Sequence, residues 1–262
     1  MSQSRPVAPL STILRAKIRQ PQFYWFLGHL LTLYHFVRYS VSFSARSIGH
    51  HYSRALLFIT ITYGIVLYQF YKSGQLTIAN ARQQLRTLDN LQYFTVALVL
   101  YVCANAHVVK GALTAPAIFS LFHSLNYFKD NLLPFLPFSP VLKTAAADRV
   151  TFFITQYNEK FLMVAQNIEI VTAFPCMLML PLTYIKLLVR FSGAQVLHAL
   201  SVGAYLSFFK LRYTQNPQMR QLLHAQYVGP ADAMVQARFP QLMHRWQSVK
   251  HLVGLVFGLI PI

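Results

Sequence analysis

Apolar residues gather into six long runs over the first 209 residues of the chain, and short polar segments separate these runs. A helix needs about 20 consecutive apolar residues to cross the hydrocarbon core of a bilayer, whereas a shorter run can enter the core as part of a hairpin. The third and fourth runs are joined only by Lys110 and Gly111, which is typical of a tight helical hairpin. The pattern predicts an all-α, polytopic integral membrane protein with about four to six transmembrane or hairpin helices. The runs cover residues 23–43, 55–71, 91–109, 112–128, 161–189 and 194–209.

Two prolines and two carboxylates distinguish the fifth run. Pro175 and Pro181 each remove a backbone donor inside it, so we expect the helix to kink there. Glu159 and Glu169 lie near its beginning, and hydrocarbon makes a carboxylate costly, by about 2.5–3.5 kcal/mol for an Asp at a helix centre. Each carboxylate therefore needs either a cation or water.

The surroundings of Glu169 depend on where the fifth span begins. If the span begins near Phe161, Glu169 lies roughly 15 Å deep and needs a buried cation as a partner. If the span begins at Ile170, residues 148–168 lie along the membrane interface and both carboxylates are hydrated. The sequence leaves both placements open. The candidate cations for the first placement are Arg54, Lys110, Lys129 and Arg212.

The charge balance also favours a membrane protein. Only 11% of the residues are charged, against about 25% in soluble domains, and 23 Lys and Arg oppose six Asp and Glu, for a net charge of +17. Most basic residues flank the apolar runs, so their excess suits anionic lipid headgroups and we expect no nucleic acid partner. The chain divides into a basic cytosolic N-terminal tail (1–22), a multi-span helical membrane domain (23–210) and a basic cytosolic C-terminal tail (211–262).

The distribution of Lys and Arg predicts the orientation. If all six runs cross the membrane and both termini are cytosolic, 17 basic residues face the cytosol and six face the other side. The positive-inside rule favours this arrangement. However, Arg38, Arg46 and Arg54 all fall in one turn on the far side. A model with four spans and shallow hairpins therefore remains open.

The C-terminal tail carries a regular stripe of apolar residues in steps of three and four, which predicts an amphipathic helix. Pro240 is typical of a helix start, so the stripe belongs either to one helix or to two. A helix with Lys and Arg on one face and large apolar side chains on the other lies in the membrane interface. There it inserts between the lipids of one leaflet like a wedge. The predicted membrane-binding residues are Phe239, Leu242, Arg245, Trp246, Val249, Lys250, Val253 and Val256.

Two alternatives for this tail remain open. The stripe can pack against the protein's own spans, or the basic helix can dock on a soluble nuclear import carrier that recognises such helices. Only binding to lipid would depend on vesicle curvature.

The chain lacks the sequence patterns of common catalytic and metal sites. It contains no H-E-x-x-H, G-x-S-x-G, P-loop or C-x-x-C motif, and its ten histidines are scattered along the chain. We therefore predict a protein that is not an enzyme and has no cofactor. The rival hypothesis is a small polytopic transporter or channel that uses Glu169, because ionisable residues inside a membrane are functional candidates.

Four stretches resemble elements of the transmembrane protein 33 family of eukaryotes, whose fungal branch includes pore-membrane proteins of the nuclear envelope. These stretches are YSRALL (52–57), IFSLFHSLNYFK (118–129), NEKFLM (158–163) and LRYTQNPQMRQLL (211–223), and they follow the family's order. The residues that match family positions include His123, Tyr127, Asn158, Phe161 and Tyr213.

The resemblance implies a multi-pass protein of the endoplasmic reticulum membrane and nuclear envelope without catalytic activity. Such a protein shapes membranes, organises reticulum tubules and supports nuclear pore complex assembly or distribution, with pore components and reticulon-like proteins as neighbours. Because NEKFLM and LRY both match family elements, we expect Glu159 to pair with Arg212 and to link the fifth and sixth runs. The alternative is a Glu159 carboxylate that is hydrated among the headgroups.

Overall fold

The computed structural model describes residues 10–260, and every regular element in that range is helical. Residues 1–9 of the predicted N-terminal tail and 261–262 of the predicted C-terminal tail lie outside the described residues. The α-helices are α1 (Leu10–Ile18), α2 (Pro21–Ser40), α3 (Ala45–Lys72), α4 (Ala81–Leu85), α5 (Asp89–Cys103), α6 (Thr114–Tyr127), α7 (Pro140–Val189), α8 (Gly193–Gln215), α9 (Pro217–Leu223), α10 (Gly229–Arg238) and α11 (Met243–Leu259). Short π-helical turns occupy Phe128–Leu132 and His224–Val228, and 3-10 turns occupy Leu133–Phe135 and Pro240–Leu242.

Six of these helices correspond to the six apolar runs of the sequence, so the predicted all-α fold is confirmed. α3 and α7 are each long and apolar enough to cross a membrane. α5 has 15 residues and α6 has 14, or about 22 Å and 21 Å, which is less than the hydrocarbon thickness of about 30 Å. The ends of the longer helices follow local rules, since Ser44, Ser139 and Ser192 each accept a hydrogen bond from a backbone amide in the first turn of α3, α7 and α8.

The six helices pack side by side in a closed ring in the order α2, α3, α5, α8, α7, α6, and α6 returns to α2. One continuous core fills the ring, and five of its large side chains are at most 1% exposed. Close packing of this kind stabilises a helical bundle through many van der Waals contacts. These core residues include Tyr52, Leu56, Leu100, Ile170 and Leu206.

The connection between α5 and α6 differs from the sequence prediction. α5 packs on α3 and α8, and α6 packs on α2 and α7, so the expected tight hairpin is wrong and the two helices are spread apart. Gly111 in this connection has a φ of +93°, and an added Cβ would lie 2.0 Å from the hydroxyl of Thr172 on α7. The Tyr52 hydroxyl accepts a hydrogen bond from the amide of Val109 at 3.2 Å. The connection is therefore seated against two neighbouring helices.

α7 is much longer than the run that predicted it. Its 50 residues extend for about 75 Å, more than twice the hydrocarbon thickness of a bilayer. It remains one α-helix through Pro175 and Pro181, where the sequence predicted a kink. It also begins about 20 residues before Phe161, the first residue of the predicted run.

Candidate functional site

The tail begins with a turn that is built by the LRYTQNPQMR stretch. The Asn216 side chain accepts hydrogen bonds from two backbone amides at the start of α9, and Pro217 occupies the first helical position. Arg220 donates to the carbonyls of Tyr213 at 3.0 Å and Thr214 at 2.7 Å, so it satisfies acceptors at the end of α8. This part of the family resemblance therefore encodes a helix end and a change of chain direction.

The first half of α11 is held against α10 by one carboxylate. Asp232 accepts hydrogen bonds from Lys250 Nζ at 2.8 Å and 2.9 Å and from the Trp246 indole at 2.5 Å. The ammonium also lies 6.0 Å from the centre of the Trp246 ring, within range of a cation–π contact. These hydrogen bonds, that of Lys250 foremost, lower the pKa of Asp232, so the carboxylate is charged at neutral pH. The three residues together are termed the Asp232 latch.

The last turn of α11 is anchored to α8. The Phe257 ring meets Tyr213 edge-on, with centroids 5.5 Å apart, and also packs on Phe209. Lys210 Nζ donates to the carbonyls of Gly258 at 2.9 Å and Ile260 at 2.6 Å. A cation at this position satisfies the free carbonyls of a helix end and opposes the helix dipole. Both ends of α11 are therefore attached to the protein.

Between these attachments α11 leaves a row of large apolar side chains exposed. Their relative exposures range from 46% for Val253 to 84% for Leu259. On a surface helix of a soluble protein, the apolar residues form one stripe that the core covers. The exposed residues are Val249, Leu252, Val253, Leu255 and Leu259.

The predicted membrane-binding residues fall into three groups. Phe239, Leu242, Arg245, Val249 and Val253 are exposed. Trp246 and Lys250 contact Asp232, and Val256 is partly covered close to α8. α10 ends at Arg238 and a 3-10 turn begins at Pro240, so the stripe belongs to two helices, one of the two sequence alternatives.

An ion cluster joins α5, α7 and α8, and it is buried except for Asp89, whose side chain is 60% exposed. Arg212 NH1 lies 2.9 Å from Asp89 Oδ2, and its Nε lies 3.5 Å from Glu169 Oε2. Tyr93 donates its hydroxyl to the other carboxylate oxygen of Glu169, and the guanidinium lies 5.4 Å from the centre of the Tyr93 ring. Glu169 is 3% exposed and Arg212 is 6% exposed. These four residues are termed the Arg212 cluster.

Helix geometry supports the Arg212 cluster. Asp89 is the first residue of α5 and Arg212 lies in the last turn of α8, so each charge opposes the dipole of its own helix. The cavity beside Glu169 has a volume of about 10 Å³, which is room for one water molecule. Glu169 therefore accepts one hydrogen bond, from Tyr93, and its other oxygen faces the Arg212 guanidinium at 3.5 Å in a closely packed interior.

The predicted pair of Glu159 and Arg212 is wrong. Glu159 is exposed on α7, and Arg212 contacts Glu169 instead. The two glutamates are ten residues apart, which separates them by about 15 Å along the helix and about 80° around it. One guanidinium cannot reach both. The alternative in which a buried Glu169 pairs with a cation is confirmed, with Arg212 as that cation.

The other family-motif residues serve mainly in helix packing. Tyr127 on α6 stacks on Phe26 of α2 with ring centroids 4.5 Å apart, and His123 lies 5.0 Å from Trp25 of the same helix. Phe161 of α7 meets a phenylalanine of α6 edge-on at 5.5 Å. Asn158 is exposed on α7.

Histidines that are scattered in the sequence meet in pairs where different elements touch. The His35 and His51 Nδ1 atoms are 2.9 Å apart, and this hydrogen bond joins α2 to α3. His107 stacks on His198 with centroids 4.1 Å apart, which attaches the α5–α6 connection to α8. No periodic signal marks these pairs, because each joins residues from different elements.

The sequence of the chain matches a known family over nearly its whole length. The model of the family described as Transmembrane protein 33/Nucleoporin POM33 matches residues 6–261. The chain belongs to this family. Membership confirms the resemblance that the four motif stretches indicated, and it confirms that the chain is a membrane protein.

Three known proteins are similar to the chain along most of its length. The "Pore and endoplasmic reticulum protein of 33 kDa" of Saccharomyces cerevisiae is 43% identical, over 99% of this chain and 98% of its own length. "Tetra-spanning protein 1" of Schizosaccharomyces pombe is 26% identical over 99% and 92%. "Nucleoporin POM33" of Chaetomium thermophilum is 26% identical over 92% and 88%. None of the solved structures matches the chain significantly.

These relatives agree with the location that the sequence predicts, the membranes of the endoplasmic reticulum and nuclear envelope. The S. cerevisiae relative carries both the pore and the reticulum in its name, and the C. thermophilum relative is named a nucleoporin.

Proposed function

We propose that the protein is a non-enzymatic scaffold that shapes the membrane of the endoplasmic reticulum and nuclear envelope. In this role it supports nuclear pore complex assembly or distribution and the organisation of reticulum tubules. Both termini face the cytosol, so the tail acts on the cytosolic leaflet. The names of the relatives support the pore and reticulum parts of the proposal.

The exposed apolar row of α11 carries the proposal. Lys210 of α8 holds the last turn of the helix to the bundle, and the helix still exposes Val249, Leu252 and Val253. Basic residues such as Arg245 lie on the same helix. A helix of this kind lies in the headgroup region. Because it enters only one leaflet, it expands that leaflet and favours curvature.

A closely packed membrane domain would make the wedge effective. The ring and its Arg212 cluster hold α8 in place, and α8 holds the end of α11. Insertion of the tail would therefore deform the bilayer instead of moving a loosely attached segment.

The test uses the full-length protein in liposomes with Val253→Asp and the matched control Gln247→Asp, which adds the same charge to the same helix. Burial of an aliphatic side chain contributes about 1.5–3 kcal/mol, so the tail of Val253→Asp should bind lipid roughly 10- to 100-fold more weakly. We expect wild type and Gln247→Asp to form tubules and to concentrate on small vesicles. Val253→Asp should do neither. Equal tubulation by all three proteins would contradict the proposal.

The tail also suits protein partners. The same variants distinguish binding to protein from binding to lipid. Pore components, reticulon-like proteins and a nuclear import carrier are candidate neighbours within the proposed role. If Val253→Asp keeps its preference for curved vesicles but fails to bind a purified import carrier, the exposed row is a protein-docking surface.

The rival transporter hypothesis rests on Glu169. The packing disfavours it, because Glu169 contacts Tyr93 and Arg212 and its adjoining cavity holds about one water molecule. Saturable solute flux in proteoliposomes that is lost in Glu169→Gln would favour transport over the scaffold role.

A further inference from the structure

The Asp232 latch is a site where two donors converge on one anion. Trp246 and Lys250 are four residues apart, one helical turn, so the indole N–H and the ammonium lie on the same face of α11. Both are hydrogen-bonded to Asp232 Oδ1, and Lys250 also reaches Oδ2. The side chains of Lys250 and Asp232 are 28% and 33% exposed, so another anion can reach the donors.

We infer that Trp246 and Lys250 form a binding site for the phosphate of an anionic lipid headgroup, and that Asp232 occupies this site while the tail is docked. The inference rests on the proposed function and specifies the ligand and the control of the same tail. A phosphate oxygen accepts hydrogen bonds from an ammonium and an indole as a carboxylate oxygen does. Exchange of Asp232 for phosphate frees α11 from α10.

The surface of an anionic membrane favours this exchange. Its negative potential repels the Asp232 carboxylate and attracts Lys250, and this potential extends for about a Debye length from the headgroups. Tryptophan is enriched at membrane–water interfaces, because its ring is apolar and its N–H is polar. The freed Trp246 therefore gains an environment that suits both parts of its side chain.

The second attachment of α11 makes the change a pivot. Lys210 and Phe257 keep the last turn of the helix on α8, at the other end of the helix from the latch. When the latch opens, the first half of α11 swings away from α10 and the exposed apolar row can lie down on the lipid. In neutral lipid the latch stays closed.

The sequence offers a direct reporter, because the chain contains only two tryptophans, Trp25 and Trp246. In a Trp25→Phe background, the full-length protein is placed in nanodiscs that contain brominated lipid, which quenches a tryptophan that enters the bilayer. The fraction of phosphatidylserine is raised stepwise in an otherwise phosphatidylcholine membrane. We expect Trp246 to be quenched only as the anionic fraction rises.

Two variants test the roles of the latch residues. Asp232→Asn should allow quenching at a several-fold lower anionic fraction, whereas the matched control Asp148→Asn, an exposed carboxylate on α7, should follow the parent protein. Lys250→Gln removes half of the phosphate site, so its quenching should lose most of the dependence on anionic lipid.

The outcomes separate the two proposals. If Asp232→Asn needs the same anionic fraction as the parent, Asp232 does not compete with lipid and the inference is wrong, while quenching itself would still support tail insertion. If Trp246 is quenched in no lipid with any variant, both the inference and the wedge proposal fail. If inorganic phosphate, compared with chloride at equal ionic strength, opens the latch in neutral nanodiscs, the site takes free phosphate and the lipid assignment is overturned.

Discussion

The Arg212 cluster and the Asp232 latch are made of the same parts in opposite surroundings. Each combines a cation with an aromatic ring that contacts it, and the cation pairs with one carboxylate in the latch and with two in the cluster. In the cluster the side chains of Arg212 and Glu169 are 8% and 3% exposed, whereas in the latch those of Lys250 and Asp232 are 28% and 33% exposed. The cluster joins three helices of the ring, and the latch joins two helices of the tail.

The difference shows how burial decides what an ion pair can do. A buried charge that loses its partner cannot recover the loss from water, so breaking the pair is costly. An exposed pair exchanges its partner for water or another ion at little cost. The Arg212 cluster therefore fixes one arrangement of α5, α7 and α8, while the latch is suited to opening and closing.

The largest expected effect is that of Arg212→Gln. It leaves the Glu169 carboxylate without its cation in the ring interior, and breaking a buried pair costs about 3–5 kcal/mol. We expect the free energy of unfolding, measured by denaturant titration in detergent micelles, to fall by that amount.

Glu159→Gln provides the matched control, because it neutralises an exposed glutamate on α7, the helix that carries Glu169. It should leave stability unchanged and add nothing to Arg212→Gln. In a double-mutant cycle, Glu169→Gln should instead show a large coupling with Arg212→Gln. A coupling of Arg212 to Glu159 and none to Glu169 would restore the pair that the sequence predicted.

A smaller effect is expected from Tyr93→Phe. The substitution removes the hydroxyl that donates to Glu169 but keeps the ring, which stacks on Tyr63 with centroids 5.6 Å apart. Hydrogen bonds to charged groups contribute about 1.5–3 kcal/mol. The same unfolding measurement should show a loss in that range, against little change for Tyr101→Phe, a partly buried tyrosine of the same helix. Equal losses for the two variants would mean that the hydroxyl contributes nothing specific.

The smallest effect is expected from acid on the latch. The pKa of Asp232 lies below its ordinary value of 3.8, chiefly because Lys250 donates to it. A lowered carboxylate pKa contributes stability above pH 3.8, and this contribution is lost as the pH falls through the folded value. Trp246 fluorescence of the Trp25→Phe protein in neutral lipid should stay constant from neutral pH down to about 4 and change only below it. Asp232→Asn should not show this change, and a transition well above pH 3.8 would assign control to another group.

The sequence predicted the positions of the ring helices well, but it predicted poorly which helices pack against each other. Each apolar run became a helix, because hydrophobic length depends on the local sequence. The order of helices in the ring depends on contacts between distant segments, which the runs do not encode. The expected α5–α6 hairpin failed for this reason, since Thr172 and Tyr52 hold the connection against other helices.

The candidate site shows the same limit. The pattern located Glu169 and named Arg212 among its candidate cations, but motif proximity favoured Glu159. Only the three-dimensional arrangement shows which carboxylate faces the guanidinium. In the tail, periodicity found the stripe, but Asp232 is 18 residues from Lys250, and Lys210 acts on backbone carbonyls that carry no sequence signal.

The ring order has a consequence for how the protein is made. Along the chain α5 and α6 come before α7 and α8, yet α8 and α7 lie between them in the ring, so the last two helices must enter a bundle that is still open. Arg212 follows Glu169 by 43 residues, so Glu169 can reach the translocon while its cation is still inside the ribosome. A carboxylate alone in hydrocarbon costs about 2.5–3.5 kcal/mol. We therefore expect α7 to insert more readily once α8 has arrived and Arg212 can pair with Glu169.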